Sequence, residues 1–428
     1  MSHQPGIPVT ALDDPEGIRH ANADLLSLAL IDARNRTLLW LAAFDRDAEA
    51  RAGKPETPGT DDAAREDVDP PVWLAGHAGW WQEYWIARHL QRQRGQACDP
   101  ASPRLASIEP RADAWFGPAL VAIAAASARA ERWRLPAEAA SGVRDWLNAT
   151  LETTLDLLAV AEPSDAGLHF FRLAVAAEDR LCAAQAAAAQ ALQIVGTDDG
   201  RPWPAPPARP ERAPLWLPAQ HFELGSAPGG CVPGNERWAH EIAVPEFEID
   251  TQALSWQRYI EFAQDGGYDE PRWWSEAGWA WVTAGGRRAP RDVEQMREGV
   301  LVQRQGRLQR VATAQPVLHV SRFEAEAWCA WAGRRLPTEV EWELAACSAG
   351  SRGFVWGDVL EWTGGSARPW PGHSAVPGDL DPMPAPGTMG VLRGASWLSH
   401  PRSRHPKARR FAAPGRDELF CGFRSCAL

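Results

Sequence analysis

Three groups of side chains in this 428-residue chain have types and spacings that could do chemistry. His77 lies among Trp73, Trp80, Trp81 and Trp85, where an imidazole either ligates a metal ion or is hydrogen-bonded inside a core. The core histidine is the expected state. Glu178 and Cys182 are four residues apart, one helical turn, so a His77/Glu178/Cys182 metal site is conceivable. A charge partnership between Glu178 and a nearby arginine is the simpler expectation. The run Arg402, Arg404, His405, Lys407, Arg409, Arg410 is the strongest concentration of positive charge. It reads as a solvated loop balanced by the acidic remainder, or as an anion pocket, and the solvated loop is expected. Seven cysteines, an odd number with no CxxC pair, indicate neither a disulfide framework nor a zinc ribbon; buried free thiols are expected.

Composition bounds what these groups can serve. Apolar residues make up 45% and charged residues 23%, enough to bury a sizeable core, and the length suits two domains of roughly 200 residues each. With 55 acidic against 44 basic residues the net charge is −11, which argues against a nucleic-acid partner. No apolar run reaches the roughly 18–20 residues of a membrane span, and residues 1–20 lack the order of a signal peptide. A cytoplasmic protein without a membrane partner is therefore expected.

The first half has the texture of a helical bundle. Leu25, Leu28, Ile31, Leu38 and Leu41 recur at helical steps over 21–47, and 49–71 is polar and break-rich. Further helices are expected from Pro70-Pro71 to about Arg94, over 117–133, over 139–161, and from Asp165 to Val195. Residues 201–218 carry seven prolines, which predicts a stiff linker and the clearest domain boundary, between 1–200 and 219–428. Beyond it the texture changes. There are 23 Trp but only 3 Tyr in the chain, with 36 Gly and 36 Pro, so irregular loops pinned by indoles are expected. Two capping boxes, Ser321-x-x-Glu324 and Thr338-x-x-Glu341, open helices that end near Gly333 and Cys347.

Several stretches carry a resemblance across both halves: LAGHAGWWQEYWIARHLQRQRG (74–95), HFFRLAVAAEDRLCAA (169–184), NERWAHEI (235–242), HVSRFEAEAWCAWAGRRLPTEVEWELAA (319–346), VLRGASW (391–397) and LFCGFRSC (419–426). The first half resembles a DinB-like bundle and the second a formylglycine-generating-enzyme-like, C-type-lectin-like domain of mixed α+β structure. Their fusion resembles the ergothioneine sulfoxide synthases, most of all the selenoneine-synthase branch. Such enzymes use Fe(II), O₂ and hercynine, a trimethylated histidine, to join sulfur or selenium to the imidazole ring. The resemblance implies three imidazole ligands, one on the second bundle helix and an HxxxH pair on the last.

His77 matches the first ligand. The pair falls on Ala177-Glu178-Asp179-Arg180-Leu181, where neither Ala177 nor Leu181 has a lone pair to give. The segment expected to read Arg-Asn-Phe-Tyr beside hercynine reads Arg409-Arg410-Phe411-Ala412, and no tyrosine follows Tyr268. The stretch 397–404, which carries a cysteine pair in formylglycine-generating enzymes, has none, so copper-thiolate chemistry is not expected. The pocket is expected between the domains, with Arg410, Phe411, Ala412 and Trp397 as candidate lining residues. Arg410 there would suit a small anionic or betaine-like ligand. The expectation is a non-catalytic or altered-function paralogue without iron, acting as a binding protein or beside an active homologue. The alternative is an active C–S or C–Se bond-forming enzyme with a non-standard metal site.

Overall fold

A computed structural model describes residues 9–51, 65–117, 126–195, 203–297, 299–379 and 381–428. Four long helices make the N-terminal half: α1 (Ala23–Arg51), α2 (Pro71–Gln82), α3 (Ala137–Ala159) and α4 (Asp165–Ala191). In α1 the buried face is Leu26, Ala29, Leu30, Ala33, Arg34, Thr37 and Leu41. Of the stripe expected from the sequence only Leu41 is buried, while Leu28 and Ile31 are exposed. The polar residues decide this rotation. Arg34 and Thr37 must turn inward to meet Glu178 of α4, and that fixes which leucines follow them.

Helix α2 starts with proline at its first turn, where the missing N–H costs nothing, and is buried on nearly every side. Instead of running as one helix to Arg94, it passes at Glu83–Ala87 into a wide π-type turn and then a short 3-10 segment, Arg92–Ala97. Close packing demands glycine at Gly76, where a Cβ would stand 2.3 Å from the Phe116 ring. The helix expected over 117–133 appears as Ala126–Arg132, with 118–125 outside the described residues. Ser164 caps α4 by accepting from Gly167 N, and the small side chains of this Ala-rich helix let α1 and α2 approach it closely.

The C-terminal half is built from short strands. One sheet has the order β1 (Leu215–Leu217), β4 (Phe247–Ile249), β13 (Cys426–Ala427), β8 (Arg334–Arg335). A second has the order β11 (Arg409–Ala412), β10 (Gly390–Gly394), β9 (Leu360–Trp362), β12 (Cys421–Phe423). The hairpin β2 (Gln220–Leu224)–β3 (His240–Val244) and the meander β5 (Val293–Met296)–β6 (Val300–Arg304)–β7 (Arg307–Val311) complete it. Both expected capping boxes form, opening the helices Arg322–Trp331 and Glu339–Ser348. The indoles do pin this half: Trp328, Trp342 and Trp362 are among its largest fully buried side chains.

The proline-rich stretch is not a free spacer. Trp203 is buried edge-on against Trp40 of α1, and Leu215–Leu217 is already a sheet strand. Nor is the basic run a solvated loop. Arg402 is 3% exposed and forks onto Asp179 of α4 at 2.7 and 2.8 Å, with Asp32 of α1 at 2.8 Å. Arg409 forks onto Glu339, and His405 meets Glu16. The bundle half supplies the carboxylates for Arg402 and His405, while Glu339 answers Arg409 within its own half, so the first two clasp one domain to the other. Among the described residues no helix is long and apolar enough to cross a membrane.

The clasp makes a prediction. Arg402→Ala leaves Asp179 buried without its cation and should cost about 3–5 kcal/mol, read as a lower denaturation midpoint. Arg402→Lys should restore only part, because an ammonium cannot fork across both oxygens. An unchanged midpoint in the alanine variant would count against the clasp.

Candidate functional site

His77 sits near the middle of α2, 3% exposed. Its ring is stacked between Trp73 at 4.9 Å and Trp80 at 5.3 Å, planes tilted by 7° and 14°. The spacing 73-77-80 places all three on one helical face. Nδ1 lies 2.8 Å from the Phe116 carbonyl, which can only accept, so Nδ1 carries the hydrogen and Nε2 keeps its lone pair. Burial holds the imidazolium pKa down at about 4, against the pull of that carbonyl, so the ring is neutral near pH 7. His77 is thus a hydrogen-bonded interior histidine that still presents one nitrogen.

The positions four residues apart on α4 present none. Ala177 is 3% exposed and its methyl faces a cleft between the domains, while Leu181 is packed into the bundle core. The two side chains considered as substitute donors are committed elsewhere. Glu178 Oε1 accepts from Arg34 Nε at 2.7 Å and Thr37 at 2.9 Å; Oε2 accepts from Arg34 Nη2 at 3.2 Å and Gln82 at 2.7 Å. Four donors leave that carboxylate nothing for an ion. The Cys182 thiol lies 3.3 Å from Thr37 Oγ1, and burial beside Glu178 pushes its pKa up to about 12, so it stays protonated. Both therefore face α1, and the conceived His77/Glu178/Cys182 site does not assemble. Among the described residues no three His, Cys, Asp or Glu side chains stand together at metal-binding spacing. The donors present do not fit a three-imidazole iron centre.

Two adjoining cavities lie between the domains. The larger, about 430 Å³, is lined by His77, Trp80, Trp81, Tyr84, Trp85 and His373 among others. The smaller, about 150 Å³, is lined among others by Ala177, Arg180, Asn235, Arg402, Arg409 and Arg410. Gly378 and Asp379 line both. Gly378 has φ +82°, and a Cβ there would come within 3.0 Å of Trp81, whose indole N–H donates to Gly378 O at 3.1 Å. This turn keeps the histidine side of the cleft apart from the arginine side.

Of the other sequence candidates, Arg410 does reach the smaller cavity. Ala412 is buried in the C-terminal core, and Phe411 lies beneath the Arg409 guanidinium, 5.3 Å from centroid to carbon. Trp397 is elsewhere: its N–H donates to Pro204 O at 2.8 Å, and it meets Phe420 edge-on at 4.8 Å. Sequence reasoning did not single out Arg180, Asp379, Asp381 or Asn235 as lining residues. Asp379 and Asp381 belong to a loop with no periodicity to read; Asn235 begins the NERWAHEI stretch, which was a usable signal.

The ring environment generates a testable expectation. The His77 pKa is depressed, so an unfolded chain takes up its proton first, near pH 6.5, and this residue's share of stability falls as pH drops from about 6.5 towards about 4. Side-chain ¹⁵N NMR should show a neutral ring protonated on Nδ1 throughout that window. A midpoint near 6.5, or the other tautomer, would contradict the geometry.

Comparison with known proteins agrees with this architecture. The sulfatase-modifying factor enzyme 1-like domain family matches residues 203–358 and 354–427. Hercynine oxygenase of Mycolicibacterium thermoresistibile is 31% identical over 455 residues, spanning 93% of this chain and 94% of that one. The hercynine oxygenases of Mycolicibacterium smegmatis and Mycobacterium tuberculosis are 30% and 31% identical, each spanning 83% of this chain and 90% of their own. Shared identity runs through helical bundle and sheet domain alike, and on that ground the chain belongs to the hercynine oxygenase family.

Proposed function

We propose that this chain is a member of the family that has given up iron-dependent oxidation of hercynine and works as a binding protein or an enzyme of altered chemistry. One observation carries the reading. Where the family resemblance places two ligating imidazoles stand a methyl group and an isobutyl group, and the carboxylate beside them is saturated by Arg34, Thr37 and Gln82. A single nitrogen at His77 is monodentate. Losing even a supporting partner costs a metal site about 10–100-fold in affinity, so losing two direct ligands should cost more than about 10⁴-fold.

A second reading has one observation in its favour. His77 keeps Nδ1 tied to a carbonyl and Nε2 free, the arrangement of a ligating histidine, which would suit an O₂-dependent C–S or C–Se bond-forming enzyme with another metal site. The first reading is preferred because a lone imidazole needs at least two further donors, and the nearest candidates on α4 turn away. All seven cysteines are free thiols, six of them buried, which supports a reducing, cytoplasmic setting.

The test is metal content and oxygen uptake. Protein purified with Fe(II) should carry far less than one iron per chain and consume no O₂ with hercynine and a thiol or selenol donor. The double variant Ala177→His with Leu181→His should regain iron. Stoichiometric iron or hercynine-dependent turnover in the unaltered chain would overturn the proposal.

A further inference from the structure

The smaller cavity has an unusual imbalance. Most arginines that line it are spoken for: Arg19 by Glu236, Arg172 by Asp165, Arg180 by Asp381, Arg402 by Asp179 and Arg409 by Glu339. Arg410 is the exception, having neither an ion pair nor a side-chain hydrogen bond among the described residues. Burial, with the charge of Arg180 nearby, holds its pKa down at about 10, so the cation persists at neutral pH in a place that disfavours it.

Two acceptors on the same walls are also under-used. Asn235 is 2% exposed and its Nδ2 donates to the carbonyls of Asp381 and Arg409, which fixes the amide orientation. Its Oδ1 then has no partner among the described residues. Among the described residues Asp379 accepts only from the backbone amides of Gly234 and Asp381 and has no ion pair; burial and the neighbouring Asp381 raise its pKa. An unmet buried acceptor such as Asn235 Oδ1 is costly, and a folded protein keeps one where something else completes it; the half-buried Arg410 and Asp379 face the same space. A free guanidinium calls for a planar two-oxygen anion, and free acceptors call for an N–H or O–H. A volume of about 150 Å³ admits only a small molecule.

We propose that the smaller cavity binds a small carboxylic acid carrying a neighbouring N–H or O–H donor, with Arg410 taking the carboxylate and Asn235 and Asp379 taking the donor. This deepens the altered-function reading and rests on it only in treating the cleft as a ligand site rather than an iron centre. One free guanidinium matches one carboxylate; a phosphate dianion would need more donors than remain. The group that defines this ligand, Arg410, stands where the family pattern has an amide.

Calorimetry on the metal-stripped full chain tests this with four probes: acetate, lactate, alanine and choline chloride. Lactate and alanine should bind saturably and about tenfold more tightly than acetate, and choline should not bind. Arg410→Met should weaken lactate by about tenfold or more while leaving the unliganded protein about as stable, because the half-buried guanidinium it removes has no ion pair among the described residues. That stability readout separates a ligand-binding arginine from a structural one, whose loss would lower the melting temperature. Arg410→Lys, which keeps the charge but not the fork, should bind with intermediate affinity. The absence of saturable binding by any carboxylate, binding unaffected in Arg410→Met, or a preference for choline would each overturn the proposal. Since the protein is metal-free, these results neither depend on nor decide the iron and oxygen measurements.

Discussion

Two neighbouring carboxylates on α4 hold the molecule in register. Successive residues of a helix are about 100° apart, so Glu178 and Asp179 point to different partners. Glu178 enters the bundle and takes Arg34, Thr37 and Gln82; Asp179 leaves it and takes Arg402 of the other domain. Both are buried, and a buried charge without a partner is far more costly than the modest net gain of a pair. The ion pairs therefore act less as sources of stability than as constraints on rotation and approach. Once Glu178 faces α1, Cys182 one turn later must face it too, while Ala177 and Arg180 face the cleft.

That constraint divides the cleft chemically. On the side of α2, the larger cavity is walled by Trp80, Trp81, Tyr84, Trp85 and the neutral ring of His77. On the side of α4, the smaller cavity is walled by guanidinia and the carboxylates that neutralise most of them. The Gly378–Asp379 turn stands between, anchored by the Trp81 hydrogen bond and by the bond from Gly234 N to Asp379. A scaffold shared with hercynine oxygenases thus keeps an imidazole on one side of its cleft, and on the other carries in Arg410 a cation with no ion pair among the described residues, though Asp381 and Asp179 stand near enough to favour its charge.

Much of the architecture was legible because it rests on local rules. The capping boxes at Ser321 and Thr338 are read from four residues each, and both helices begin there. The change from bundle to short-strand domain follows from composition, and the Trp-rich core from the 23 tryptophans in the chain. Local rules failed where a distant partner overruled them. The apolar stripe of α1 was misplaced because Arg34 and Thr37 are buried to serve a helix some 140 residues away in sequence. The basic run was misjudged for the same reason, since its carboxylates lie on Asp32, Asp179, Glu16 and Glu339, none adjacent in sequence.

The sequence by itself determined the inventory of donors: one imidazole at 77, hydrocarbon at 177 and 181, and a guanidinium at 410. Side-chain chemistry does not change on folding, so an alanine cannot become a ligand wherever it is placed. Only the tertiary structure decided how the remaining groups are used, saturating Glu178, keeping Cys182 protonated and leaving Arg410 without an ion pair among the described residues. Those outcomes depend on which charges meet across a desolvated interface, and pairing over hundreds of residues is set by the packing of whole elements rather than by any local pattern.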